Sequence, residues 1–224
     1  MKKQNLSAAS LCKLGLCNPG LSSQRRFSYK CAMKHHGYVV AAILAAFVAT
    51  LSVAGFWIYY SWRDHREDAV IVAASRRYGV ESALVKAVMW RESWFNPRAR
   101  GGHGELGLMQ ITETAANEWA ESAGVKNFQP EHLLDPATNA FAGTFYLGKL
   151  LKRYPNTDNP TAYALADYNA GRTRVLGWNK GAAATNSAVF LAQMDFPGTK
   201  KYILAILRRR LHYRADFPAA GAGN

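Results

Sequence analysis

Cysteine is nearly missing from this chain: there are three, Cys12, Cys17 and Cys31, all near the N-terminus. The rest can form no internal disulfide, and the spacing of the three fits no metal-binding pattern. Acidic residues are missing from residues 1–36, which carry instead Lys2, Lys3, Lys13, Arg25, Arg26, Lys30 and Lys34. Charge of either sign is missing from Gly37 to Trp62, GYVVAAILAAFVATLSVAGFWIYYSW. From Asp64 onward no convincing strand pattern and no internal repeat occur. What is present, 224 residues of which 49% are apolar and 12% aromatic, excludes a disordered or collagen-like chain. It is enough for one domain with a packed core plus an appendage.

The uncharged run is the appendage. It exceeds the roughly 20 apolar residues that a helix needs to cross a bilayer, and a core helix of that length would show polar residues on some face. The basic flank places the N-terminus in the cytoplasm by the positive-inside rule, while Trp57, Tyr59, Tyr60 and Trp62 cluster at the other end, where amphipathic rings favour the headgroups. The domain that follows is therefore expected to be exported. Ser52-Val53-Ala54 offers a competing signal-peptidase site, but the apolar run continues to Trp62, which favours an uncleaved anchor. A second methionine, Met33, begins "MKHHGYVV", a short basic start in its own right, so the leader before it is expected to be dispensable. The predicted organisation is a basic leader over 1–36, a transmembrane anchor over 37–62, a helical domain over 63–217 and a flexible tail over 218–224.

Seven of the 28 Lys and Arg lie in the leader and all 15 Asp and Glu lie beyond it, which leaves 21 basic against 15 acidic residues, a net +6. That excess suits the surface of an anionic polymer. Nucleic acid is the other partner of a basic protein, but export argues against it. Arg208-Arg209-Arg210 turns about 100° per residue on a helix, so it spreads around the rod and reads as a solvated face.

Punctuation divides the domain into short helices. Ser82 caps one running to about Ser93. Asp135-Pro136 opens another through Arg153, and Asn159-Pro160 repeats the signal. Thr199 opens a last helix in which Ile203, Ile206, Leu207 and Leu211 share a face. The fold class is mainly α.

Three stretches carry chemistry. In "VMWRESWFNP", Val85, Val88, Met89 and Glu92 stand at i, i+3, i+4 and i+7, which places Glu92 on the apolar stripe. A carboxyl withdrawn from water without a cationic partner holds its proton towards neutral pH and becomes a candidate general acid. The alternative is an exposed helix-end glutamate beside Arg91. In "GELGLMQIT", two glycines admit close approach of the backbone, Met109 gives an adaptable apolar contact and Gln110 both an acceptor and donors. It could equally be a turn into a core methionine. In "ALADYNAG", a helix ends on Tyr168-Asn169 before a glycine, which by itself is an ordinary helix terminus.

Together the three resemble the lytic transglycosylase family, soluble lytic transglycosylase type, with a lysozyme-like fold. The resemblance rests on Glu92-Ser93, Phe95-Asn96-Pro97, Gly107-Leu108-Met109-Gln110 and Tyr168-Asn169-Ala170-Gly171, in the family's order and spacing. "LLDPATNAFAGTFYLGKLL" and "FPGTKKYILAIL" extend it over roughly 66–214. It implies cleavage of the β-1,4 bond between N-acetylmuramic acid and N-acetylglucosamine in peptidoglycan, with closure of a 1,6-anhydro ring in place of water addition. Glu92 takes the catalytic position, protonating the leaving oxygen and then accepting the proton of the sugar's 6-hydroxyl. The substrate's N-acetyl group is the internal nucleophile, so one carboxylate is sufficient where ordinary glycosidases need two. Ser93, Met109, Gln110, Tyr168 and Asn169 match positions that orient the glutamate or hold the sugar. No metal or cofactor is implied. The partners implied are glycan strands and the bacterial inner membrane, with the domain in the periplasm and an envelope protein complex as a further possibility.

Two residues depart from the family pattern. Gly101 stands where the family commonly has a serine reaching into the site, and Asp167 where alanine usually precedes Tyr-Asn. Asp167 raises the local negative charge if it faces inward and is otherwise a solvated helix residue, which is the expected place; Glu105 is either a second acid near the groove or, as expected, a support for the glycine-rich loop. Two other functions fit the same motifs: a muramidase that lets water attack, and a non-catalytic wall-binding module.

Overall fold

The computed structural model describes residues 21–217, with side chains from 37 onward. Cys12 and Cys17, with the first part of the leader, and the 218–224 tail lie outside the described residues, as do the side chains of Cys31 and Met33.

Two units divide at Tyr60 and Ser61. The first consists of most of α1, Leu21–His65, which begins well before the apolar run. Among the described residues it is the one helix long and apolar enough to cross a membrane. Val39, Ile43, Phe47, Leu51, Phe56 and Ile58 are each more than half exposed, so none of this surface is covered by protein. Such a length of bare apolar helix is sustained by lipid and not by water.

The second unit is helical, with no strand among the described residues. Its order is α2 (Asp68–Tyr78), α3 (Ser82–Ser93), α4 (Glu113–Ala123), a 3-10 turn (Pro130–Leu134), α5 (Pro136–Lys152), α6 (Pro160–Ala170), α7 (Arg172–Trp178), a second 3-10 turn (Gly181–Ala184), α8 (Ser187–Gln193) and α9 (Pro197–Tyr213). The centre is α3, which is buried on every side from Ala83 to Met89. An all-round apolar helix has no solvent face to present, so it must be wrapped by others. Here α9 and α2 pack on it, while α5 packs on α2, α4 and α6.

The end signals hold in part. Asp135 Oδ2 accepts from the Thr138 backbone N–H at 2.8 Å and opens α5 as expected. Asn159 precedes Pro160 but makes no side-chain cap. Ser82 is the first helical residue of α3 and not its cap. Glu81 holds the cap position in extended conformation, but its carboxylate is drawn away to Arg210 and to Arg214 Nε, the latter at 2.7 Å. The last helix begins at Pro197, a residue suited to the first turn, and Thr199 is buried inside it.

Leu211 corrects the expected apolar face of that helix, being 64% exposed. The buried stripe runs through Thr199, Tyr202, Ile203, Ile206 and Tyr213, and at about 100° per residue Leu211 lies some 120° from Thr199. The arginine run is corrected too. Only Arg208 is solvated, because the guanidinium of Arg209 lies 4.9 Å from the Trp90 ring centroid and 4.8 Å from that of Tyr213, and Arg210 reaches Glu81.

Candidate active site

Helix α3 ends abruptly. Trp94 and Phe95 both adopt left-handed backbone, φ 53° and 59°, a region that bulky side chains rarely enter. The two residues turn the chain out of the helix and leave Glu92 on its last turn facing a cavity of about 340 Å³, a volume suited to a small ligand or a sugar unit. The other walls come from the 101–112 loop, α4, α5 and the end of α6.

The loop is held from outside by residues that the motifs alone do not indicate. Asn139, fully buried in α5, accepts from the Met109 backbone N–H at 2.7 Å and donates to the carbonyls of Leu106 and Leu133, both at 2.8 Å. Gly107 has φ +75°, and a Cβ there would overlap Asn139 Nδ2 and the Leu133 carbonyl, so only glycine allows this approach. Ser93 secures the same loop from α3, its hydroxyl donating to Leu108 O at 2.8 Å. Small bridges between Leu106 and both Arg100 and Ile111 complete the tie.

Of the residues expected at the site, Glu92, Gln110, Tyr168 and Asn169 line the cavity. Ser93 and Met109 do not. Met109 is fully buried, and its contribution is a carbonyl that accepts from the Tyr168 hydroxyl at 2.7 Å. The Tyr168 hydroxyl is thus engaged with the loop and not with Glu92. Gln110, itself at φ 47°, donates through Nε2 to Gly107 O and keeps its side-chain oxygen towards Gly101.

The group that holds Glu92 is Tyr202, buried on α9, whose hydroxyl donates to Glu92 Oε1 at 2.5 Å. A tyrosine on a buried stripe needs a partner for its hydroxyl, which is the only sequence signal that pointed to it. From the turn before it, the Thr199 hydroxyl donates to Asn169 Oδ1 at 2.8 Å. Burial is the largest influence on Glu92 and pushes its pKa up to about 7, against the hydrogen bond from Tyr202 and the charge of Arg91, which favour the carboxylate. Negative charge on Glu105 adds to the upward shift.

The expected solvated position of Asp167 is corrected. Its side chain is 2% exposed, and Oδ2 accepts from Arg153 Nη1 at 2.6 Å and the Tyr154 hydroxyl at 2.7 Å. A buried carboxylate with a charge partner and a second donor is satisfied in place. Glu105 accepts from the His103 backbone N–H at 2.9 Å, the loop support expected of it, and also lines the cavity.

Removing the Tyr202 hydroxyl should move the titration of Glu92 upward, because the lost bond favoured its charged form. Tyr202→Phe is expected to shift the basic limb of the activity profile to higher pH and to lower turnover roughly 10- to 100-fold, as for one hydrogen bond to a charged group. Glycan cleavage measured from pH 5 to 9 checks both.

Both the sequence and the fold of the chain are similar to those of known proteins. The chain resembles membrane-bound lytic murein transglycosylase C of Shigella sonnei, 41% identical over 121 residues, which are 51% of this chain and 33% of that protein. Its fold matches an inactive mutant of the lytic transglycosylase Slt of Pseudomonas aeruginosa, TM-score 0.62 at 26% identity, covering 68% of this chain and 24% of the other. The 70-kDa soluble lytic transglycosylase of Escherichia coli matches with TM-score 0.60 at 27% identity, covering 67% and 24%. The chain thus spans about a third of the curated relative and about a quarter of each solved one. The model of the transglycosylase SLT domain matches residues 69–191, more than half of the chain and every residue that lines the Glu92 cavity, though not the Tyr202 of α9 that holds Glu92, and the chain belongs to that family.

Proposed function

We propose that the protein is a membrane-anchored lytic transglycosylase that cleaves peptidoglycan strands between N-acetylmuramic acid and N-acetylglucosamine, leaving a 1,6-anhydro end. The observation that carries this reading is Glu92, a carboxyl raised to about 7 by burial and held by one tyrosine on the wall of the cavity. Near neutral pH such a group is populated both with and without its proton. It donates to the leaving glycosidic oxygen, and the carboxylate that results accepts the proton of the 6-hydroxyl as that oxygen closes on C1. The substrate's N-acetyl group bonds to C1 in between and is displaced, so no water enters the product. Gln110 and Asn169 face the same cavity and are assigned to holding the sugar, Tyr168 and Ser93 to holding the loop, and Met109 to the loop through its backbone.

The basic residues of the 1–36 leader and the aromatic residues Trp57, Tyr59, Tyr60 and Trp62 at the far end of the apolar run support an inner-membrane anchor over 37–62, with the 63–217 domain in the periplasm. Protease added to spheroplasts should then degrade the domain, while high-salt washing leaves the protein with the membrane.

Digestion of purified sacculi followed by mass analysis tests the chemistry. Products one water lighter than those of a hydrolase, lacking a reducing end, are expected. Water-weight products would make the protein a muramidase, and an absence of cleavage would make it a wall-binding module.

A further inference from the structure

The loop that faces Glu92 contains a second acid, and its place is fixed by a glycine. Gly101 has ordinary backbone, so conformational freedom is not why it is glycine; space is. A Cβ built on it would overlap Glu105 Oε2 and come within 2.9 Å of Gln110 Oε1. The Glu105 carboxylate therefore lies in the volume that a side chain at 101 would fill, next to the side-chain oxygen of Gln110, on the wall of the cavity that Glu92 faces. It is anchored there by the His103 N–H.

We propose that Glu105 is the second acid of this site, a positioning residue that acts on the reaction through Glu92 and can do so because Gly101 leaves it the wall. This rests on the transglycosylase reading of Glu92. The two carboxyls sit in environments that drive them apart. Burial pushes Glu105 up, but the backbone N–H groups of Glu105 and His103 and the nearby His103 ring outweigh it and hold it below the ordinary carboxylate range. Glu92, with fewer donors and more burial, goes the other way. Two acids separated like this divide the work, one staying charged while the other keeps a proton. The anion of Glu105 makes a second negative charge in the cavity unfavourable, so Glu92 enters the reaction protonated over a wider pH range. The groups that face Glu92 are otherwise Arg91 on its own helix, Tyr202 on α9 and Tyr168 on α6, with Tyr146 on α5 and His103 on the loop along the same cavity. The charge of Arg91 favours the carboxylate of Glu92 and so opposes the effect of Glu105.

Three variants of the full chain in detergent, acting on sacculi, test this. Glu105→Gln keeps an oxygen for the His103 N–H and removes only the charge. It should move the basic limb of cleavage to lower pH by about half a unit, the size expected for one unit charge across a partly hydrated cavity. Gly101→Ser should move the limb the same way, because the new side chain takes the place of the carboxylate and pushes it off the wall. Adding Glu105→Ala to Gly101→Ser should move it no further. A role confined to supporting the loop would leave the limb of Glu105→Gln where it was, and that result overturns the proposal. So would a double variant whose limb lies well below that of Gly101→Ser, since Glu105 would then act from a place that glycine does not secure. Thermal unfolding at pH 5 and 8 gives a readout free of turnover: the difference between the two should shrink in Glu105→Gln, and an unchanged difference counts against the proposal. Failure of the wild type to cleave would refute the reading of Glu92 itself, a result distinct from either.

Discussion

Glu92→Gln should abolish glycan cleavage, leave binding to sacculi intact and make the folded domain more stable above neutral pH. Glutamine has nearly the shape of glutamic acid and can still accept from the Tyr202 hydroxyl, but it carries no proton that can be transferred and recovered. A loss of at least 10³-fold in turnover follows from removing the one group that acts in both steps. The stability change has a definite sign. The pKa of Glu92 is about 7 in the folded protein and 4.5 when unfolded, so folding takes up a proton between these values and stability falls as pH rises from 4.5 to 7. The cost is complete above pH 7 and absent below 4.5, on the order of 3 kcal/mol. The variant lacks this cost. Its melting temperature should therefore exceed that of the wild type at pH 8 by several degrees and match it at pH 4. Equal melting temperatures at pH 8 would mean that Glu92 is solvated, and retained cleavage would move the proton chemistry to another group.

The parts of this site that were legible in the sequence are those carried by contiguous words. Glu92 was found because its helix is short, apolar and ended by a recognisable turn, and Gln110 and Tyr168-Asn169 because their neighbours are glycines and small residues in a fixed order. The fold class followed from helix punctuation in the same way. What the sequence did not disclose depends on contacts between distant elements. Tyr202 meets Glu92 across 110 positions, and Asn139 reaches the loop from 30 positions away. Neither is marked by anything local beyond a polar group on a buried face. Asp167 was misplaced for the same reason, since a carboxylate on a helix reads as solvated until Arg153 and Tyr154 are seen to surround it. Leu211 was misplaced by treating an apolar residue near the stripe as part of it, although the phase of the helix had already carried it to solvent. The exchange between Gly101 and Glu105 was visible as two oddities a few residues apart. Only the volume shared by the two explains both.

The largest structural effect is expected from Lys86, a charged residue that is 0% exposed on the central helix α3. Its ammonium lies 2.8 Å from Asp68 Oδ1, 2.9 Å from Asp216 Oδ2 and 3.2 Å from His65 Nδ1, with the Tyr213 ring centroid at 4.8 Å. These partners come from the end of α1, the start of α2 and the segment after α9, so one side chain joins the last residues of the fold to the first. The acids remain partly hydrated, Asp68 27% and Asp216 22% exposed, which lessens the penalty of leaving them unpaired. Lys86→Met retains the apolar stem but deletes the charge that both face. Breaking a buried pair on one side costs about 3–5 kcal/mol, and the hydration of these acids places the expected loss near ~3 kcal/mol. For a domain of this size that is a fall in melting temperature of roughly 6–12 °C. Asp216→Asn, which leaves Asp68 on the ammonium, should cost no more than about 1 kcal/mol, the scale of a single net hydrogen bond. Melting curves of the two variants decide the matter, since similar small shifts would show that Lys86 does not hold the three segments together.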